Sequence, residues 1–389
     1  MIRIDLKPGR EASVLRRHPW LFSGAVARSA GDGSDGMAEV FDARGQRLAS
    51  GAWSPSSQIV ARLWSFGEAP PPGPALFARR FAAARRLRET LLPAETTGYR
   101  GLHSEGDLCP GVVLDVYGDL GVLDLSTEGT ERWEEPLRAA ALEQFGLARI
   151  LVRRTGARRD RGEPAPAGGS GEKERAPFLE NGLRFVADVD SGQKTGFFLD
   201  QRENRSRLRA LAAGRKVLNL FSYSGGFSVA ALAGGAARAV DVDTSAEALA
   251  IAAEHRRANG FAEDPGDFVR ADVFEDLRAR AANGEAWDAV VCDPPAFAKK
   301  RGDVDRAARG YKDINRLAMR LVAPGGILLT CSCSGLVDAT LFQQIVFSAE
   351  LESGSSFSLI GRQGAGGDHP VSLDCPEGEY LKGLWLSRT

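Results

Sequence analysis

Histidine and cysteine are scarce in this chain, with four and five residues in 389. The cysteines are Cys109, Cys292, Cys331, Cys333 and Cys375. Their odd number and unpaired spacing argue against a disulfide framework. The histidines lack ligand spacing, so no metal site is expected. Long apolar runs are also missing. None reaches the length of a bilayer span, and Met1 to Arg10 has no signal-peptide hydrophobic stretch. The expectation is a cytoplasmic protein without a membrane partner. Excess charge of one sign is absent as well. Fifty Lys and Arg against 51 Asp and Glu leave a net charge of −1, which excludes polyanion binding by bulk charge.

What is present is ample apolar material, 43% against 26% charged, in a chain long enough for two or three domains. Charge is concentrated locally. Residues 1–30 hold six cationic side chains (Arg3, Lys7, Arg10, Arg16, Arg17, Arg28) against Asp5 and Glu11. Such a patch can meet phosphates, although on charge alone a solvated basic face explains it more simply.

Three regions separate by composition. The first is strand-like, with short segments at 38–41, 47–50 and 58–64, and ends at a Pro-rich stretch, 67–74. A helix is predicted over 75–92. The middle region has strands near 111–116, 121–125 and 149–153 and a helix over 133–145. Residues 155–176 are rich in Gly, Pro and charge and cannot bury a core. From Lys216 strands and helices alternate, which implies parallel strands with helices on both faces. Here Pro324-Gly325-Gly326 reads as the stop of a helix over 309–322.

Ligands in such sheets bind at the carboxyl ends of the strands. Polar stops fall at those ends. Ser222-Tyr223-Ser224-Gly225-Gly226 follows the first strand, and Asp243 ends the second, 18 residues after Gly225. That offset suits a carboxylate accepting from ribose hydroxyls. Asp272 ends the third strand, where an adenine ring would lie. Without Gly-x-Gly-x-x-Gly a dinucleotide pyrophosphate is disfavoured, and so is a nicotinamide oxidoreductase. S-adenosylmethionine carries no phosphate and suits the loop.

Asp293-Pro294-Pro295-Ala296-Phe297 closes the fourth strand. The prolines fix an extended exit and aim the carboxylate over the sheet edge. Thr330-Cys331-Ser332-Cys333-Ser334 closes the next strand. Residues i and i+2 of a strand share a face, so Cys331 and Cys333 should too. Cys292 should point away from Asp293. A thiolate at such a strand end suits methylation of pyrimidine carbon 5, because its attack on carbon 6 makes carbon 5 nucleophilic. Cys331 is the expected nucleophile, Asp293 the stabiliser of the adduct, and Cys333 a helper in release.

These motifs, with Gly192–Arg205 (GQKTGFFLDQRENR) and Asn219–Phe227, resemble the 23S ribosomal RNA cytosine carbon-5 methyltransferases that carry an N-terminal PUA domain. Lys7–Arg10, Arg16–Ala25, Ser104–Gly111 and Asp115–Asp119 extend the resemblance over nearly the whole chain. It implies an α/β protein: a Rossmann-like class I methyltransferase domain with a doubly wound, mostly parallel sheet at 185–389. Before it come a β-rich PUA domain at 1–72 and an α+β middle domain at 73–184. It also implies a cofactor cleft lined by Asp200, Arg202, Phe221, Tyr223, Gly225, Asp243, Asp272 and Asp293, a 23S RNA partner and a homodimer. Support for RNA from the residues themselves is limited to Arg10, Arg16 and Arg17, arginines 202, 205, 207 and 209, and Lys299, Lys300 and Arg301. Two other readings stay open: a guanine-methylating enzyme, which needs no thiol, and a non-catalytic RNA-binding ribosome-assembly protein.

Overall fold

A computed structural model describes residues 1–156, 174–189, 196–298 and 300–389. The chain forms two compact units. One comprises Met1–Leu179, Ala187–Leu199 and Gly367–Gly378; the other comprises Glu180–Val186, Asp200–Gly366 and Glu379–Thr389.

The first unit holds two sheets. Strands β1 (Ile2–Leu6), β2 (Trp20–Phe22), β3 (Val26–Ala30), β4 (Met37–Phe41), β5 (Arg47–Trp53) and β6 (Ile59–Phe66) form a sheet in the order β2-β6-β5-β4-β1-β3. Only β1 and β4 pair in parallel. Alternation along β1 buries Ile2, Ile4 and Leu6 on one face. The second sheet runs β10-β9-β8-β7, from β7 (Gly98–His103), β8 (Val112–Tyr117), β9 (Leu120–Leu125) and β10 (Arg149–Arg154). Helices Pro74–Leu91 and Glu134–Phe145 share its core through Phe77, Phe81, Leu137 and Phe145. The first helix has Pro at its first position, where a missing N–H costs nothing. Strands β11 (Arg175–Glu180) and β12 (Leu183–Asp188) form a two-stranded ribbon. Most of the Gly/Pro-rich segment 155–176 lies outside the described residues.

The second unit is built on seven strands: β13 (Lys216–Leu220), β14 (Arg238–Asp243), β15 (Phe268–Arg270), β16 (Trp287–Cys292), β17 (Val322–Ser332), β18 (Phe357–Gln363) and β19 (Lys382–Arg388). Their order is β15-β14-β13-β16-β17-β19-β18. The first five pair in parallel, while β19 runs antiparallel to both β17 and β18. Strand order reverses between β13 and β16, which opens a crevice at their carboxyl ends. Alternate residues fill two cores, one on each face. Leu218, Val290, Cys292 and Leu328 pack on one side. Val217, Val291, Leu329, Cys331 and Trp385 pack on the other. Burial on both faces explains why these strands read as continuous apolar runs.

Two expectations change. The helix before β17 spans Val304–Leu321 and ends before Pro324, and the Pro-Gly-Gly lies inside β17, where the pairing with β16 slips. A register slip absorbs glycine and proline that a regular ladder would reject. Asp272 lies two residues beyond β15 and caps helix Val273–Ala282, its Oδ1 accepting the Phe274 and Glu275 amides.

Candidate active site

The loop after β13 is strained in a way that shapes it. Phe221 and Tyr223 both adopt positive φ, at 55° and 47°, and Gly225 sits at 71°. Such angles are costly for non-glycine residues and persist only where surroundings enforce them. Asp243 supplies part of that enforcement. Its Oδ2 accepts the Tyr223 amide at 2.9 Å and its Oδ1 the Ser245 amide at 2.9 Å. His255 supplies another part. The Val186 amide donates to its Nε2, so its proton sits on Nδ1 and donates to the Ser224 carbonyl at 2.8 Å. A Cβ at Gly225 would lie 2.7 Å from Ala252 Cβ, so helix Ala246–Ala258 packs directly against the loop.

Beneath the loop is a buried polar knot that sequence reading passed over. Asp241 accepts from Asn219 (2.8 Å) and Ser228 (2.6 Å) on Oδ1 and from Arg256 (2.7 Å) on Oδ2. Burial pushes the Asp241 pKa up, and the Arg256 charge opposes that shift. Above it the loop fits a polar ligand without a phosphate. The Ser222 hydroxyl is buried with no hydrogen-bond partner among the described residues, and a native group of that kind calls for a ligand or water. Asp243 is half-buried and Asp272 exposed at the neighbouring strand ends. Asp200 is 3% exposed and takes the Tyr380 hydroxyl on Oδ2 at 2.6 Å.

At β16 and β17 the chemistry-bearing groups converge. The Asp293 Oδ2 accepts from Gln201 Nε2 at 2.9 Å. Gln201 Oε1 accepts from Asn204 Nδ2 at 2.7 Å, and Asn204 Oδ1 accepts from Trp385 Nε1 at 3.0 Å. An indole N–H can only donate. It therefore fixes the orientation of both amides, and the relay delivers an N–H to the carboxylate. Cys331 lies on the same side of the sheet, on the opposite face from Cys292. Burial, followed by the Asp293 charge, raises its thiol pKa well above the ordinary range, while a Gln201 hydrogen bond pulls it down. The thiols at and just past the end of β17 differ in access: Cys331 is 0% exposed, whereas Cys333 is half-buried. Across the ladder, Ser332 pairs with Lys382, whose Nζ donates to the carbonyls of Ser334 (2.5 Å) and Tyr380 (2.7 Å).

This crevice has counterparts among known proteins. Residues 135–355 match the family described as S-adenosylmethionine-dependent methyltransferase, and residues 4–66 match a PUA-like domain. The chain belongs to the S-adenosylmethionine-dependent methyltransferases. It is 42% identical to ribosomal RNA large subunit methyltransferase I of Salmonella arizonae, over 98% of this chain and 96% of the relative. The same identity holds for the protein of that name from Yersinia pseudotuberculosis serotype O:1b, over 98% of each. A solved structure from Streptococcus mutans, assigned as a S-adenosylmethionine-dependent methyltransferase, shares the fold with a TM-score of 0.82 at 23% identity, covering 100% of both chains.

For this methyltransferase the cofactor is S-adenosylmethionine. Other residues named from sequence fare differently. Arg202 is 1% exposed and donates to Glu203. Arg205 is locked in a buried bidentate pair with Glu180, at 2.6 Å for both bonds. Arg207 and Arg209 donate to the carbonyls of Ile360 and Asn181. These arginines, expected to grip phosphates, are structural, because the amphipathic helix Arg202–Leu211 turns them onto backbone and carboxylate partners. Arg3 and Arg28 pair with Asp5. Arg10, Arg16 and Arg17 stay exposed with no ion pair among the described residues, as does Lys300. Lys299 lies outside the described residues, and so does 190–195.

No helix among the described residues is long and apolar enough to cross a membrane. One unexpected cluster appears in the first unit. His18, Cys375 and Glu377 bring one donor atom each within 4.8 Å. The Trp20 amide donates to His18 Nδ1, which places the ring proton on Nε2, facing Glu377. That tautomer leaves Nε2 without the lone pair a metal needs.

Proposed function

We propose that this chain methylates carbon 5 of a cytosine in large-subunit ribosomal RNA through a covalent cysteine adduct. The observation that carries the reading is the meeting of Cys331, Gln201 and Asp293 at the ends of β16 and β17, with Cys333 on the same side of the sheet just past the end of β17. The RNA substrate follows from the named relatives and the PUA-like match, and from Arg10, Arg16 and Arg17, which remain available to phosphates. A PUA-like domain at 1–72, a middle domain at 73–184 and a methyltransferase domain at 185–389 complete the arrangement, with action in the cytoplasm and a homodimer as the assembly.

Burial favours Cys333 over Cys331 as the attacking thiol, reversing the order drawn from strand position. Cys331 sits in the apolar layer under it, and its raised pKa keeps it a neutral thiol. The Cys333 thiolate adds to carbon 6 of the flipped base, and a carbon–sulfur bond forms. The carbon 5–carbon 6 π electrons move toward carbon 4, and ring nitrogen 3 takes a proton shared with Asp293. Gln201 holds that carboxyl in place. Bound S-adenosylmethionine supplies an electrophilic methyl group, which the electron-rich carbon 5 accepts. A base then removes the carbon-5 proton, the carbon 5–carbon 6 double bond re-forms, nitrogen 3 returns its proton, and the thiolate leaves.

Mapping of modified nucleotides in 23S RNA from cells with and without the gene, by mass spectrometry, tests the reading. One 5-methylcytosine lost with the gene is expected. Loss of a methylguanine supports the guanine-methylating alternative, and an unchanged map supports a non-catalytic assembly role.

A further inference from the structure

The six-stranded sheet ends on an edge that carries aromatic surface between cations without carboxylate partners. Strand β2 is that edge, paired only with β6. Alternation sends Leu21 into the core and turns Trp20 and Phe22 to the other face. Their rings meet edge to face, with centroids 6.5 Å apart and planes at 80°. Trp20 is anchored: its Nε1 donates to Glu105 Oε1 at 2.8 Å, and the His18 ring packs on it at 5.6 Å. Phe22 remains 49% exposed. A perpendicular ring contact covers at most one face of Phe22, so a flat group can lie on the other.

Cations stand at both ends of this strand. Beyond Phe22, Lys7 Nζ donates to the Gly24 carbonyl at 3.0 Å, and the Arg10 amide donates to the Lys7 carbonyl at 3.1 Å. Before Trp20, Arg16 and Arg17 close helix Ala12–Leu15. All four side chains are exposed and make no ion pair among the described residues. Carboxylates nearby are turned elsewhere, Asp5 to Arg3 and Arg28 and Glu105 to Trp20. The backbone at Arg17 points the same way. Its φ is 63°, and the Arg17 and His18 amides donate to the carbonyls of Val14 and Ser13. Glycine is the residue suited to that helix-ending position. An arginine there bears backbone strain, which points to a use for its charge. Three residues and a register slip at Leu21 and Phe22 make β2 a poor template for an added peptide strand. Aromatic surface between phosphate-binding cations fits single-stranded nucleic acid instead. We propose that the Trp20–Phe22 edge is a stacking platform for an unpaired base of the RNA. The base lies on the Phe22 ring, with the phosphates to one side at Lys7 and Arg10 and those to the other at Arg16 and Arg17. This rests on the reading of RNA as the substrate and adds the form in which the RNA is held, a single strand.

Fluorescence anisotropy on the full-length protein tests this with labelled probes: a short oligoadenylate, an abasic strand of the same length and an RNA duplex of that length. Wild type should bind the oligoadenylate most tightly. Phe22→Ala should weaken that binding about 5- to 140-fold, the loss of one base stack. It should leave affinity for the abasic strand and the salt slope unchanged, and Phe22→Trp should retain wild-type binding. Unchanged oligoadenylate affinity in folded Phe22→Ala overturns the proposal and leaves the edge to a protein partner. Should Phe22→Ala fail to fold, wild type alone decides, since equal affinity for the oligoadenylate and the abasic strand overturns the platform. Wild type that binds none of the probes overturns the RNA reading along with it, whereas RNA binding that ignores Phe22 overturns the platform alone.

Discussion

Replacing Asn204 with Leu tests whether the relay from Trp385 through Gln201 aims the Asp293 carboxylate proposed to act on the base. Both Asn204 and Trp385 are 0% exposed, so neither can turn to water for a substitute partner. The change strips the Trp385 N–H of its acceptor at 3.0 Å and Gln201 Oε1 of its donor at 2.7 Å. Each buried polar group left unmade costs about 1–3 kcal/mol, so stability should fall by roughly 2–6 kcal/mol before apolar packing by Leu offsets part of it. With Asn204 gone, Gln201 Oε1 loses the donor that anchors it, and the amide can turn away from Asp293. The charge-assisted bond at 2.9 Å contributes about 1.5–3 kcal/mol. If methyl transfer needs that geometry, kcat/KM drops about 10- to 150-fold, since each 1.36 kcal/mol is a factor of ten. Thermal unfolding reports the first effect and single-turnover transfer to RNA the second. Trp385→Phe should reproduce the kinetic loss, and the double variant should cost little more than Asn204→Leu alone, because both changes break one chain of bonds. A folded Asn204→Leu protein with wild-type kcat/KM, or additive losses in the double variant, refutes the relay.

Other consequences are as direct. Gly225→Ala forces a side chain into positive φ with its Cβ 2.7 Å from Ala252 Cβ; calorimetric titration should show S-adenosylmethionine affinity falling about tenfold or more, from roughly 1–3 kcal/mol of strain. Replacing Arg16 and Arg17 by Ala should weaken RNA binding and lower the slope of log affinity against log salt by about one to two, with little change in cofactor affinity. His103 is held well below its ordinary 6.5 by burial first, then by Arg100, His369 and Arg88, against the opposing Asp368. A depressed folded pKa means the unfolded chain binds the proton first, so this stability is present above about 6.5 and is lost as pH falls. Melting temperature should drop on acidification from that point, and His103→Gln should flatten the slope.

Much of the catalytic unit was legible because its strands are buried on both faces and end in polar residues. Asp243, Asp293 and the thiol pair were all visible as strand-terminal polar groups after apolar runs, and the alternation rule set Cys331 and Cys333 on one face, where both pack against the same core. Connections that depend on distant chain were not visible. Asp293 meets Gln201 92 residues away, and Asn204 meets Trp385 181 residues away. Gln201 and Asn204 lay inside the FFLDQRENR stretch, but nothing local marks them as a directed relay. The arginines of the same stretch misled for a related reason. A run of cations looks solvated until Glu180 and the carbonyls of Asn181 and Ile360 are seen to take them up. The antiparallel β19 was hidden too, since direction leaves no trace in an apolar pattern, yet it supplies Lys382 and Trp385.

The proposed methyl transfer requires a thiol that bonds to the base. RNA carrying 5-fluorocytosine traps such an adduct, because fluorine at carbon 5 cannot leave as a proton. Incubated with S-adenosylmethionine, the protein should give a complex with this RNA that survives denaturation, persists in Cys331→Ala and disappears in Cys333→Ala. Absence of any covalent complex, under conditions where unmodified RNA is methylated, would contradict the account.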